Sequence, residues 1–388
     1  MQTVNVKDFG AMSDGINDDF SAFQKALGAG ERKVYIPAGR YRISKTLKVA
    51  CNTEIIADDN AEIFVCEKLP KKRGDFLLTN AEHEKGNKNI TIKGGVWSGN
   101  YDGKNNSKHP DIFEPTAASG ALINFFNVEN LKIEGVTLAN PVTYFSRFSK
   151  IDGFVIRDVT FKSEVVTINH DGLHFGGECR NGVIENIRAA TYGETGDDLL
   201  AFNADDCVTR LENRDILCGD IENITVKNVY AENCHTAVRF ASVTSRIRNI
   251  HIENITAGCR AYAVNMDATR YCRTPVFKEE DFPKGVGRIE SVTIENFEAW
   301  FSDSGKDHAL ICAETLCDGF KMSAFRRNLN KDKSPDAPTV RVRNVTDTEV
   351  VYSSDGKREW AVLRGKNEDL IIFKAPDELE INKAEQRL

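Results

Sequence analysis

The chain has no apolar run near the ~18 residues that a membrane-crossing helix needs. Nor is its charge dominated by one sign: 51 Lys and Arg stand against 58 Asp and Glu, a net charge of −7. A helical membrane anchor and a broad surface for nucleic acid or anionic lipid are therefore not expected. The 10 cysteines form no CxxC pair and have no histidine partners at zinc spacing; only Cys312 and Cys317 lie close together. Buried free thiols are expected in place of disulfides or a zinc site, because a core this large needs no staples. The segment Met1-Gln2-Thr3-Val4-Asn5-Val6 lacks the basic, apolar and small-residue zones of a signal peptide. The chain as written is thus expected in the cytoplasm, or secreted or periplasmic if a leader preceded it. With 41% hydrophobic and 28% charged residues, it can bury a sizeable core.

One phrase recurs along the chain: Asn or a small residue, apolar-x-apolar-x, then Asn, Asp or Gly, then apolar. It reads Asn89-Ile90-Thr91-Ile92-Lys93-Gly94, Asn130-Leu131-Lys132-Ile133-Glu134-Gly135-Val136 and Gly153-Phe154-Val155-Ile156-Arg157-Asp158-Val159. It returns at Asn181 in a shortened form, Gly182-Val183-Ile184-Glu185-Asn186-Ile187, and again at Asn223, Asn249 and Ser291. The starts at 89, 130, 153, 181, 223, 249 and 291 are separated by 41, 23, 28, 42, 26 and 42 residues. Each copy has the period of a half-buried strand and turns at residues that tolerate left-handed backbone. The short gaps suit one coil, and the long ones a coil with an inserted loop. One coil cannot bury its apolar face alone, so neighbours must stack. The expected fold is all-β, a single-stranded right-handed parallel β-helix (solenoid); an antiparallel sandwich is the competing arrangement.

Asp18 or Asn17 can cap a short helix whose Phe20, Phe23 and Leu27 share one face, with Gly28 and Gly30 ending it. That helix would plug one end of the core. The chain is expected to be one domain over 1–388, with a cap region at about 1–45 and C-terminal coils and tail from about 340, where the repeat weakens. The charged stretch from Asp377 to Leu388 is expected outside the core.

Two phrases carry acids where the repeat would supply ordinary strand residues: Asn169-His170-Asp171-Gly172-Leu173-His174 and Gly196-Asp197-Asp198-Leu199-Leu200-Ala201-Phe202. Residues distant in sequence sit side by side on successive coils about 4.8 Å apart, so Asp171, Asp197 and Asp198 can meet. Grouped carboxylates raise one another's pKa, and an acid paired with a base is the minimum equipment for glycoside hydrolysis. Asp171 shares strand parity with Leu173, and Asp198 with Leu200, so both need a strand edge or bulge, for which Gly172 and Gly196 supply freedom. Asp205 and Asp206 could join Asp197 and Asp198 around Ca²⁺, but an acidic loop is the commoner outcome.

Asn169-His170-Asp171-Gly172 resembles the Asn-Thr-Asp-Gly motif, and Gly196-Asp197-Asp198 the Gly-Asp-Asp motif, of family 28 glycoside hydrolases, the polygalacturonases. Val4-Asn5-Val6-Lys7-Asp8-Phe9-Gly10-Ala11, Val34-Tyr35-Ile36-Pro37-Ala38-Gly39 and Gly94-Gly95-Val96-Trp97 are similar to the opening coils of this and related pectate-lyase-like β-helix families. The resemblance implies Asp197 as general acid, with Asp171 and Asp198 holding the attacking water in an inverting displacement. It also implies His235 as an assistant, although the glycines that flank this histidine in the family are absent. The family's Arg-x-Lys is replaced by Asn265-Met266-Asp267, and a negative Asp267 beside the scissile sugar would repel a uronate, so simple polygalacturonate is not the expected substrate. Arg239, Arg270 and Arg273 are candidates to restore positive charge. His170, His174 and Asn203 complete the candidate substrate contacts with Asn265 and Asp267, and no metal or cofactor is called for.

The expected partner is a carbohydrate, with no nucleic acid and no membrane. A lyase or uronate epimerase on the same fold, using a metal or an arginine to neutralise a uronate, and a non-catalytic glycan-binding β-helix are the alternatives.

Overall fold

The computed structural model describes residues 1–66, 74–103, 120–205, 216–268, 278–283, 286–318 and 320–342, together with the backbones of three later strands. Among these residues the architecture is all-β apart from one α-helix and two short 3-10 turns. Strand pairing is parallel through residue 342, which excludes the antiparallel sandwich.

The repeat phrase is the unit of stacking. Ile90, Leu131, Phe154, Gly182, Ile224, Ile250 and Val292 are partners in sequence, each one residue past the start of its phrase. All seven phrases therefore stand in register. The shortened phrase has a steric cause: a Cβ on Gly182 would lie 2.0 Å from the Phe154 ring, which already fills the interior there.

Each phrase is bounded by residues in left-handed conformation. Asn52, Asn89, Asn130, Asn181, Asn223 and Asn249 have φ of 54 to 59°. A second row, Asp158, Asn186, Asn228, Asn254 and Asn296, has φ of 56 to 61°. Asparagine is chosen twice over, since its short polar side chain tolerates this backbone and also reaches the next coil. Asn228 Nδ2 donates to Asn186 Oδ1 (3.0 Å), Asn254 to Asn228 (3.2 Å) and Asn296 to Asn254 (2.7 Å). The first row is bonded likewise through Asn89, Asn130, Asn223 and Asn249. Inside, Phe148, Phe175, Phe202 and Phe240 stack with centroids 5.2 to 5.7 Å apart.

The helix spans Phe20–Leu27 and buries Ala22, Phe23, Ala26 and Leu27, with Phe20 partly buried against the same core. The Phe20 N–H donates to Asp18 Oδ1 (3.1 Å), while Asp19 turns away to accept from Met12 and Ser13. Gly28 ends the helix at φ 57°, and the Arg32 guanidinium caps the Lys25 and Ala26 carbonyls. Past Val340–Val342, the strands at Glu349–Ser354, Glu359–Gly365 and Glu368–Lys374 pair antiparallel with one another, so the parallel repeat is replaced where the sequence pattern fades. Asp377 to Leu388 lie outside the described residues.

Asn228→Ala should destabilise the chain by about 1–3 kcal/mol, the sum of a left-handed penalty and two lost, solvent-exposed ladder bonds. Asn228→Gly should recover the backbone share. Urea unfolding of both variants checks this, and equal losses would remove the backbone conformation as the cause.

Candidate active site

The two acidic phrases lie on neighbouring coils. The Gly172 N–H donates to the Asp198 carbonyl (2.9 Å) and the Asp197 N–H to the His170 carbonyl (3.4 Å). Both glycines are required by close approach and not by a left-handed turn. A Cβ at Gly196 would meet the Thr167 carbonyl at 1.9 Å, and one at Gly172 the Leu199 carbonyl at 2.6 Å. The expected irregularity is present: pairing slips between Ala189 and Asp198, then runs regularly from Asp198↔Thr236 to Asn203↔Ala241. Asp171 sits just before the strand Leu173–Phe175.

Beyond the slip, register builds one polar face. Asn124, Arg147, His174, Ala201, Arg239 and Asn265 are successive partners, and Asn203, Ala241 and Asp267 form a parallel row two residues further on. Their chain neighbours Phe148, Phe175, Phe202, Phe240 and Met266 are all buried in the core. A strand puts alternate residues on opposite faces, so this face is polar for the same reason that the interior is apolar.

Asp197 and His235 are the open members of the site, with 24% and 42% of their side chains exposed and Oδ1 lying 3.5 Å from Nδ1. Asp198 is buried behind Asp197. Burial, and then the charge of Asp197, push its carboxyl up to about 7, against the opposing pull of Arg239 and Thr236. Arg239 lies between two carboxylates: Nη1 is 3.4 Å from Asp198 Oδ2, and Nη2 donates to Asp267 Oδ1 and Oδ2 at 3.0 and 3.2 Å. Burial works against its charge, but Asp267, Asp198 and Asp197 outweigh it and hold the guanidinium protonated. Asn265 Nδ2 also donates to Asp267 Oδ2 (2.9 Å). The negative charge of Asp267 is thus matched by Arg239, one of the candidates to restore positive charge, which reaches it from one coil away.

His235 is pushed down to about 4, by burial first and then by Arg260, Arg239, Lys306 and His308. The Asp197 carboxylate, 3.5 Å away, is not close enough for a short charge-assisted bond. His235 is therefore neutral at neutral pH.

His170 and His174 differ from the surface contacts expected of them. His170 is fully buried, edge-on to Phe145, and His174 is buried against Tyr144. His174 Nδ1 lies 2.7 Å from Asp171 Oδ2, so its visible work is to orient that carboxyl. Asn203 is buried on the polar face, and its Oδ1 has no donor among the described residues. Asp205 serves the fold: its carboxylate accepts the Val243, Thr244 and Ser245 N–H groups and the Ser245 hydroxyl. Asp206, Arg270 and Arg273 lie outside the described residues. The eight described cysteines are free, and most are buried.

Sequence reasoning missed Tyr262, which continues the row Asp198–Thr236–Tyr262, and Arg260, Lys306 and His308, which act on His235. Only the register could have found the tyrosine. Asp197, Asp198 and His235 each offer a ligand atom, all within 4.8 Å of one another, a geometry that can hold a metal ion.

Residues 3–260 match the family model described as rhamnogalacturonase A/epimerase, pectate lyase-like, and the chain belongs to that family. Its fold is the polygalacturonase-like β-helix. A family 28 exopolygalacturonase of Yersinia enterocolitica superposes with a TM-score of 0.61 at 16% identity, covering 88% of this chain and 74% of that one. A probable polygalacturonase of Arabidopsis thaliana is 26% identical over 255 residues, 60% of this chain and 52% of that protein. A putative phage-related protein of Bacillus subtilis (strain 168), YobO, is 35% identical over 226 residues, 52% of this chain and 26% of that protein. The chain thus spans between a quarter and about half of these two curated relatives.

Asp198 titrates from 3.8 when unperturbed to about 7 in the folded chain. Between those values the folded state keeps a proton that the unfolded state has lost, so this group's contribution to stability falls as pH rises from about 4 to about 7. At about 1.4 kcal/mol per pH unit, the full cost is on the order of 4 kcal/mol. Asp198→Asn should match wild type near pH 4 and exceed it in stability at pH 8. Urea unfolding at the two pH values checks this; a variant less stable at pH 8 than at pH 4, relative to wild type, would contradict the buried proton.

Proposed function

We propose that the chain is a glycoside hydrolase, built on a right-handed parallel β-helix, that cleaves a polysaccharide or oligosaccharide with inversion. The observation that carries this reading is the dyad of an open Asp197 and a buried Asp198 that retains a proton up to about pH 7. Such a pair titrates as a unit, and the productive form has the shared proton on Asp197, the carboxyl that faces solvent. Asp197 then donates that proton to the glycosidic oxygen as the C1–O bond breaks. Asp198, ionised in that form and matched by Arg239, holds with Asp171 the water that attacks C1 from the opposite face, and this pair takes up the water's proton. His174 fixes Asp171, and neutral His235 can accept or donate a hydrogen bond beside Asp197 without adding charge.

Asp197→Asn should lower turnover at least about 100-fold with an unchanged thermal transition, as expected for loss of a positioned acid. Activity is read by mass spectrometry of products from a panel of polysaccharides and aryl glycosides. Near-normal turnover, or an unfolded variant, would sink the assignment.

Arg239 also bears on substrate charge. A uronate at the cleavage subsite would have to displace Asp267 from the guanidinium, so a neutral sugar is favoured there. Asp267→Asn should free Arg239 and raise the preference for a galacturonide over the matched galactoside by about tenfold, roughly 1.4 kcal/mol. An unchanged ratio of kcat/KM for the two substrates would remove Arg239 from specificity.

A second reading, a cation-dependent lyase or epimerase, is favoured by the close approach of Asp197, Asp198 and His235. Incubation with EDTA and then with Ca²⁺ or Mn²⁺ separates the two. Activity that survives the chelator and gives no unsaturated, ultraviolet-absorbing product belongs to the hydrolase.

A further inference from the structure

Thr236 links the two halves of the site. It is the register partner of Asp198 one coil further on, it is buried, and it follows His235 directly in the chain. Its hydroxyl hydrogen-bonds the Asp198 carboxyl and draws that group's pKa down, against the larger effects of burial and of Asp197. Its Oγ1 also lies 3.2 Å from His235 Nδ1. The same ring nitrogen is 3.5 Å from Asp197 Oδ1. Asp197, His235, Thr236 and Asp198 thus form a chain of polar contacts that connects the open carboxyl to the buried one. The glycine that follows this histidine in family 28 has no hydroxyl, so the link belongs to this chain and not to the motif it resembles.

The hydrogens available fix the direction of each contact. A hydroxyl has one hydrogen to give, and an ionised carboxylate can only accept. In the productive form Asp198 is ionised, so Thr236 gives its hydrogen there and offers Nδ1 a lone pair. In the resting form the proton is on Asp198 and Asp197 is ionised, so the Asp197 oxygen is the acceptor that Nδ1 meets. Both forms place an acceptor against Nδ1, and a neutral imidazole keeps its hydrogen on the nitrogen that faces acceptors. Without the hydroxyl, Nδ1 in the productive form would face only a protonated Asp197. That acid could then turn its hydrogen onto the ring instead of onto the glycosidic oxygen.

We propose that Thr236 is a positioning residue that holds His235 in the tautomer with its hydrogen on Nδ1, so that the proton of Asp197 is directed to the leaving oxygen and not to the ring. This rests on the hydrolase reading and deepens it. The N–H lies beside Asp197 as that group gives up its proton, and it favours the carboxylate that forms. Nε2, on the other edge of the ring, keeps a lone pair. The same tautomer opposes the cation-dependent reading, because an Nδ1 that carries hydrogen has no lone pair for an ion held with the two carboxylates.

The tautomer is read by nitrogen–proton correlation NMR at neutral pH on the full chain isotopically labelled in its histidines, with the His235 signals assigned by their loss in His235→Gln. Wild type should show hydrogen on Nδ1 and a bare Nε2. Thr236→Val nearly keeps the shape of the side chain and removes its hydrogen bonds. It should move hydrogen to Nε2 and lower kcat about tenfold, with KM changed by less than about twofold. Thr236→Ser should restore the tautomer and most of the rate. Should the valine variant fail to fold, the wild-type spectrum and the serine variant carry the test. Hydrogen on Nε2 in wild type, a tautomer unmoved by Thr236→Val, or a serine variant without the wild-type tautomer would overturn the assignment. Failure of the hydrolase reading is separate: no product from any substrate of the panel, with a tautomer that depends on the Thr236 hydroxyl, would refute hydrolysis and leave the tautomer lock standing, whereas cleavage by wild type with hydrogen on Nε2 would do the reverse.

Discussion

Among the described residues the repeat phrases are bounded by residues held in the left-handed backbone region, and most of the asparagines at those corners hydrogen-bond to a counterpart on a neighbouring coil. A parallel stack has no short hairpin to fix its register, and a one-residue slip would exchange the apolar and polar faces of every strand. The two rows through Asn89 and Asn130 and through Asn186, Asn228 and Asn254 oppose such a slip at both ends of the same strand. Once they set the register, the Phe148 to Phe240 stack falls inside and the row from Asn124 to Asn265 falls outside. The groove is thus a consequence of the corners, and loops inserted elsewhere in a coil leave it in place.

Within that frame the electrostatics of the site turn on one guanidinium. Arg239 is the counter-ion of two carboxylates on neighbouring coils, Asp198 and Asp267. Its charge pulls the Asp198 carboxyl down, against the burial and the Asp197 charge that together hold it up to about 7. It also explains how Asp267 can occupy a position where a bare carboxylate would repel an acidic sugar. His235 is kept neutral by its burial first, and then by Arg260, Arg239 and Lys306.

The sequence makes the stack legible because its phrase is anchored by residues whose backbone preference and side-chain chemistry point to the same place. Asp171, Asp197 and Asp198 could be brought together on paper because a coil converts a separation of about 26 residues into adjacency. Other features stayed hidden for physical reasons. The role of Gly196 depends on the Thr167 carbonyl passing within 1.9 Å of where its Cβ would stand, an approach that no local pattern encodes. The pairing of Asp267 with Arg239 depends on how far an arginine reaches across a coil. His174 reads as a surface residue only until Tyr144 and Asp171 close over it. Lys306 and His308 follow a 42-residue interval, where an inserted loop hides which coil they decorate.

The slip between Ala189 and Asp198 lies next to the site for a reason. A regularly pleated strand alternates, so two adjacent carboxylates such as Asp197 and Asp198 would face opposite sides, one in the groove and one deep among the phenylalanines. An irregular stretch before Asp198 lets the second acid stop at the boundary, where Thr236 and Arg239 can serve it, while the strand returns to register at once and restores Leu200 and Phe202 to the core. Gly196 permits the local crowding that this manoeuvre creates. The irregularity that costs the ladder some bonds is therefore the feature that places a proton-retaining carboxyl directly behind an open one, and a perfectly repeating coil would have no means of making that pair.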